Sequence, residues 1–120
     1  MTRALIVLAA LMGAAGVVLA ALGAHTGGTG RLTTASFMLL FHAPVILAVV
    51  ALATRPLVRE GLAHAAAAGF VVGAALFAGD LALRDLAGHA LFPMAAPSGG
   101  TILILSWLVL ALAGLARPKG

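Results

Sequence analysis

The sequence predicts an all-α fold, an integral membrane bundle of four transmembrane helices, on three observations. First, 63% of its 120 residues are hydrophobic and 8% charged, whereas a soluble domain carries about 25% charged residues; too little polar surface remains to face water on every side. Second, the apolar residues fall into four stretches, about 4–24, 32–54, 62–83 and 99–116. At the helical rise these span roughly 27 to 35 Å, the thickness of a bilayer's hydrocarbon core. Third, the apolar content is Ala, Leu, Val and Gly rather than aromatic, which suits closely packed helices and suits a β core poorly. Residues 1–120 are expected to form one transmembrane domain.

The first stretch follows Arg3 and carries a stripe of small residues, Gly13, Gly16, Ala20 and Gly23, expected to be a packing face rather than a pore lining. Its apolar run is longer than the core of a secretory leader, so it is read as a retained helix. Gly27, Gly28 and Gly30 break it before Arg31. The second stretch holds His42 near its centre and ends at Arg55 and Pro56; the third carries Gly69 and Gly73 as a GxxxG pair and Asp80 near its outer end. A longer connection from Arg84 to Ser98 contains Pro93 and Pro97 and is expected to include a short interfacial segment at 89–94. Ser98 reads as the N-cap of the fourth helix, with Gly99 and Gly100 exposing backbone amides. Such a start can bind an anion or a headgroup phosphate, or simply be an ordinary cap with close packing at the glycines. Trp107 lies too deep for an interfacial aromatic belt and is expected to fill space against core or lipid.

Composition also removes function classes. With no Cys, there is nothing from which to build disulfides, thiolate metal sites, iron–sulfur clusters or cysteine nucleophiles. The net charge of +4 comes from basic residues scattered over both ends and three connections. A nucleic-acid binder gathers them on one face, so no nucleic acid is expected as partner. The charges instead follow membrane topology: Arg3, Arg55, Arg59, Arg117 and Lys119 fall on one side, Arg31 and Arg84 on the other. The richer side should be cytoplasmic, which puts both termini there.

Four positions could carry chemistry. A polar side chain at the bilayer midplane is costly, so His42 is a functional candidate by default; it serves equally as packing glue if a neighbouring helix satisfies it. Pro44 removes a backbone donor beside it and frees the Leu40 carbonyl. Counting from the helix ends places Gly13, Gly73 and Ser106 at the depth of His42, leaving room for the ring and making Ser106 its candidate partner. Asp80 shares a helical face with Gly69 and Gly73 and should face protein. Two partners are open to it: Arg84 at i+4, as a structural ion pair, or His25 at the end of the first helix, as a carboxylate–imidazole couple able to hold a proton or a cation. His25 and His89 belong to the outer side, His42 to the middle and His64 to the inner end, so the histidines are not expected to converge on a metal or a haem.

Gly23-Ala24-His25, Thr34-Ala35 followed by Phe41-His42-Ala43, Leu76-Phe77-Ala78-Gly79-Asp80-Leu81, and the run from Phe92 through Pro93-Met94-Ala95-Ala96-Pro97-Ser98 to Gly99-Gly100 together resemble a small uncharacterised membrane family that includes the bacterial YgdD-type inner-membrane proteins. The likeness covers nearly the whole chain and keeps motif order. It implies four helices in the plasma membrane and no established activity. That family often has serine where this chain has Asp80, which argues against a carboxylate essential to a shared activity.

Three functions compete. The first is a helix-packing scaffold or interaction protein, embedded in lipid, with a second copy or another membrane protein as partner and no cofactor. The second is an oligomeric proton or small-solute transporter using His42 with Asp80 and His25. The weakest is a membrane-embedded enzyme, because His42 and Ser106 form a pair without a third member; no catalytic, cofactor or metal residue is assigned.

Overall fold

In the computed structural model, which describes residues 1–27 and 29–118, the chain is four helices in up-down order: α1 (Thr2–Thr26), α2 (Arg31–Ala53), α3 (Glu60–Leu86) and α4 (Ala95–Leu115). Each is long and apolar enough to cross a membrane, and there is no strand among the described residues. Gly28, one of the glycines of the first connection, and Lys119, one of the basic residues of the charge pattern, lie outside the described residues.

Three of the helices agree with the apolar pattern to within three residues at both ends, close to the spread that frayed helix ends show. The fourth helix departs further, starting at Ala95 instead of 99. Ser98 is therefore inside the helix, its amide bonded to the Met94 carbonyl at 2.9 Å, and Met94 is the N-cap. Pro97 misled the boundary: a proline in the first helical turn loses no hydrogen bond, because those amides have no helical acceptor. The cost falls on Met94, held at φ 67°, a left-handed conformation worth roughly 1–2 kcal/mol of strain for a residue with a Cβ. At the corresponding break after α1, Gly27 (φ 57°) takes the left-handed position freely.

The helices do not close into a symmetric four-helix bundle. α1 packs on α2 and touches α3, α2 packs on α3, and α4 rests on α3 without a backbone approach to α1 or α2. The body measures 52 × 25 × 19 Å; with each helix about 10–12 Å across, that is two helices thick. α2 and α3 are the central pair, and their facing side chains Ile46, Ala67 and Phe70 are fully buried. α1 and α4 present Val7, Leu11, Val17, Ile104, Leu108 and Leu112 outward, the apolar surface a helix shows to lipid.

Small residues set the helix contacts, because apolar side chains gain nothing by leaving lipid and only close packing and hydrogen bonds remain to join the helices. A Cβ on Gly99 would stand 2.6 Å from the Phe77 nitrogen and 2.7 Å from the Gly73 carbonyl oxygen, both backbone atoms that cannot swing aside. Gly73 faces Gly99 and Leu103 in return; Gly69 faces Ser106, whose hydroxyl occupies the space a Cβ would need. On the other side of the body, Gly16 receives Leu39 and Leu40, and Gly23 receives Leu32 and Thr33. Gly13 is looser, with Ala43 at 3.9 Å, and Gly100 meets only the Phe77 ring.

Replacing Gly99 by Ala should cost about 1–3 kcal/mol through overpacking against backbone. Gly79→Ala, a helical position with nothing within 4 Å of the added carbon, should be neutral or stabilising by up to about 1 kcal/mol. Thermal unfolding of both variants in detergent micelles reads the difference in sign.

Candidate functional site

The midplane site forms where α2, α3 and α4 converge. His42 is buried in a helix that runs on unbroken through Pro44. Its Nδ1–H donates to the Met38 carbonyl one turn back, at 2.8 Å. Its Nε2 accepts from the indole Nε1–H of Trp107 at 3.3 Å. Indole nitrogen can only donate and a carbonyl can only accept, so together these partners select one state of the ring: neutral, with the proton on Nδ1. A doubly protonated ring would aim N–H at N–H. Phe70 of α3, fully buried, closes the third side, with its ring centroid 5.5 Å from His42 and 4.8 Å from Trp107, edge to face with the indole, the geometry aromatic pairs favour.

Ser106 is not the partner of His42. Its hydroxyl donates to the Ile102 carbonyl at 2.7 Å and sits against Gly69. The close contact of Gly73 with Gly99 sets α4 against α3 so that Ser106 lands opposite Gly69 and the next residue, Trp107, reaches the imidazole. The indole is also not a mere space-filler: one edge faces outward while the N–H turns into the body. An apolar count could not find this pair, since Trp107 reads as hydrophobic; the one signal in the sequence was a donor-only ring immediately after the serine.

A second site, at the end of the body that holds the α3–α4 connection, is built on Asp80, whose side chain is fully buried. Arg84 Nε donates to its Oδ2 at 2.8 Å, and the backbone N–H of Leu91 donates to its Oδ1 at 2.8 Å. The Ala96 amide in the first turn of α4 also bears on the carboxylate, where a helix N-terminus favours negative charge. Asp80 thus ties the end of α3 to the α3–α4 connection and to the start of α4. His25 is exposed in the last turn of α1 and makes no hydrogen bond or ion pair with Asp80 among the described residues; the carboxylate is already saturated by partners from its own helix and connection. The group that does reach across from the first connection is Thr29, whose hydroxyl donates to Asp85 Oδ1 at 2.9 Å. The two sites remain separate, so His25, His42, Asp80 and Ser106 do not form one constellation.

At the opposite end, Thr2 Oγ1 and His64 Nε2 lie 3.4 Å apart, and the Arg59 amide donates to the Ala113 carbonyl at 2.9 Å. These contacts gather the start of α1, the α2–α3 connection and the end of α4. His64 also lies 3.9 Å from Glu60. Among the described residues, no group of three or more histidine or acidic side chains is close enough to hold a metal ion.

Residues 19–100 fit the family described as "Protein of unknown function (DUF423)". The chain belongs to the DUF423 family. The matched region contains Gly23, His42, the Gly69–Gly73 pair, Asp80 and the start of α4 through Gly100, and leaves out most of α1 and the part of α4 that carries Ser106 and Trp107. Nothing among curated proteins and nothing among solved structures matches it.

Removing the Asp80 carboxylate should loosen the outer end and leave the midplane alone. Asp80→Ala is expected to speed hydrogen exchange at the Leu91 amide and lower the melting midpoint by several degrees, while amides around His42 keep their protection. Asp80→Asn, which retains an acceptor for Leu91, should fall between the two, as exchange followed by mass spectrometry would report.

Proposed function

We propose that this member of the DUF423 family is a non-enzymatic helix-packing scaffold of the plasma membrane, working by holding membrane helices together rather than by moving or transforming a substrate. The observation that carries the reading is the double hydrogen bonding of His42. A proton relay at the midplane needs a ring nitrogen free to receive a proton from one side and release it to the other. Here one nitrogen holds a backbone carbonyl and the other an indole, so the histidine joins α2 to α4, the two helices whose backbones do not otherwise meet.

The outer polar groups support the same reading. Asp80 is committed to Arg84 and Leu91, and Asp85 to Thr29, so the carboxylates that a transport route would use at that end are engaged in structural bonds. With Ser106 bonded to its own helix, no nucleophile faces the imidazole. The proposed partners are the lipid bilayer and a second copy or another membrane protein laid along the exposed sides of α1 or α4, without nucleic acid or cofactor. The gathering of Arg3, Arg55, Arg59 and Arg117 toward one end favours cytoplasmic termini. The motif likeness to YgdD-type proteins favours the bacterial inner membrane.

Nitrogen NMR of the protein in lipid at neutral pH should show His42 as the neutral Nδ1–H tautomer alone. Trp107→Phe, which removes the donor and keeps the ring packing, should leave the Nδ1–H tautomer in place, still held by the Met38 carbonyl, and shift the Nε2 signal alone as its hydrogen bond is lost. In liposomes carrying a pH gradient, the protein should leave proton leakage at the level of empty vesicles. A protein-dependent leak abolished by His42→Gln would overturn the scaffold reading in favour of transport.

A further inference from the structure

A cleft of about 850 Å³ opens at the end of the body where the α2–α3 connection meets the C-terminal end of α4. Its lining includes Thr54, Arg55, Arg59, Glu60, His64 and Pro118. The packing role proposed above makes no use of it. Arg55 and Arg59 are both exposed, and among the described residues neither guanidinium is paired with a carboxylate: the ion pairs there join Arg84 to Asp80 and His64 to Glu60. The carboxylate in the cleft, Glu60, stands beside His64.

The same cleft receives the N-terminus of the 27-residue helix α3. Arg59 is its N-cap and gives it no side-chain hydrogen bond, so the first-turn amides of Gly61 and Leu62, both cleft residues, have no acceptor within the helix. Two fork-shaped donors that match phosphate oxygens in pairs thus line the same cleft as a helix start without a side-chain cap, a place that favours negative charge and where Glu60 is the single acidic residue of the first turn. The floor is apolar, from Ala53, Val58 and Leu62, and the site lies at the mouth of the membrane-spanning body, where headgroups reside.

We propose that this cleft is a binding site for a phosphate group carrying net negative charge, held by Arg55, Arg59 and the α3 N-terminus. The chemistry is shared by the headgroup of an acidic phospholipid and by a soluble phosphate. A headgroup enters from the membrane with its acyl chains against the apolar floor; a soluble phosphate enters from water and needs no floor.

The test is titration of the full chain in detergent micelles with short-chain phosphatidylglycerol, short-chain phosphatidylcholine or inorganic phosphate, followed by NMR of the Arg55 and Arg59 side chains and the Gly61 and Leu62 amides. Phosphatidylglycerol is expected to shift these signals and bind roughly tenfold or more tightly than phosphatidylcholine, as two basic residues at a membrane surface should ensure. Arg55→Gln combined with Arg59→Gln should erase that preference, and Lys at both positions should restore part of it, since charge returns without the paired donors. Arg31→Gln, at the opposite end, should leave binding unchanged. Both arginines are exposed, and an unaltered melting transition establishes that the double Gln variant is folded. Inorganic phosphate shifting the same signals and competing with the lipid assigns the soluble source; phosphatidylglycerol acting alone assigns the headgroup. Equal binding of phosphatidylcholine and phosphatidylglycerol, or full binding by the folded double Gln variant, would overturn the site.

Discussion

The backbone contact between α3 and α4 at Gly73 and Gly99 fixes where every polar side chain of α4 can reach. α3 is the one helix whose backbone α4 approaches, so its height and rotation are set chiefly there, with the Arg59–Ala113 hydrogen bond holding its far end. With a Cβ at Gly99 colliding with two backbone atoms of α3, the helices reach their register only because both positions are glycine. That register puts Ser106 into the notch at Gly69 and carries Trp107 across α3 to the imidazole of α2. A shift of one residue would rotate the indole by about 100° around the helix axis and leave His42 with an unsatisfied nitrogen inside the membrane. The glycine contact and the midplane hydrogen bond are therefore one device seen at two depths.

Lipid supplies no hydrogen bonds, so a polar side chain at this depth must find its partner in the protein. No buried side-chain nitrogen or oxygen among the described residues lacks one. The hydroxyls mostly turn back on the preceding turn of their own helix, as Thr34 does to Gly30, Thr101 to Pro97 and Ser106 to Ile102. Within the body Ser36 and His42 break this habit and join helices instead, as Thr2 does with His64 at one end. Ser36 donates to the Gly16 carbonyl at 2.8 Å, fixing α2 to α1 where Gly16 is crowded by Leu39 and Leu40. His42 makes the equivalent link between α2 and α4. The Ser36 bond lies at a close-packed glycine, because a carbonyl can be reached by so short a side chain only where helices approach; the His42 bond spans helices that do not approach and is made by two ring side chains.

The number of helices, their order and the inner face of α3 were legible in the sequence, since a run of about 20 apolar residues is itself the physical requirement for crossing lipid. The pairing of Asp80 with Arg84 was legible as one of two alternatives, because an i+4 pair needs only helical geometry. The bond from Leu91 to Asp80 was not, because it depends on how an irregular connection folds back over a helix end. The partner of His42 was missed for a related reason. Depth counted from an assumed helix start carries the error of that start, and Pro97 made the start of α4 look later than Ala95, where it lies. Depth alone also does not separate Ser106 from Trp107, which differ by about 1.5 Å along the axis; the rotation of about 100° between them decides which one faces His42.

The two ends of the body are finished differently, and the difference comes from the connections. At one end Asp80 collects a guanidinium, a loop amide and the start of α4, while Asp85 collects the threonine of the first connection; both acidic groups there have protein partners. At the other end the α2–α3 connection is short and carries two arginines, and the carboxylate among them, Glu60, lies beside a histidine. α3 begins at that end without a side-chain cap and with Glu60 as the one acidic residue of its first turn, against the exposed Arg55 and Arg59. A helix that is anchored by its own acid at one end and left electropositive at the other is polarised along its length. An anionic surface at the electropositive end would complete the pairing that the other end makes internally, and would hold the asymmetric body upright in the bilayer.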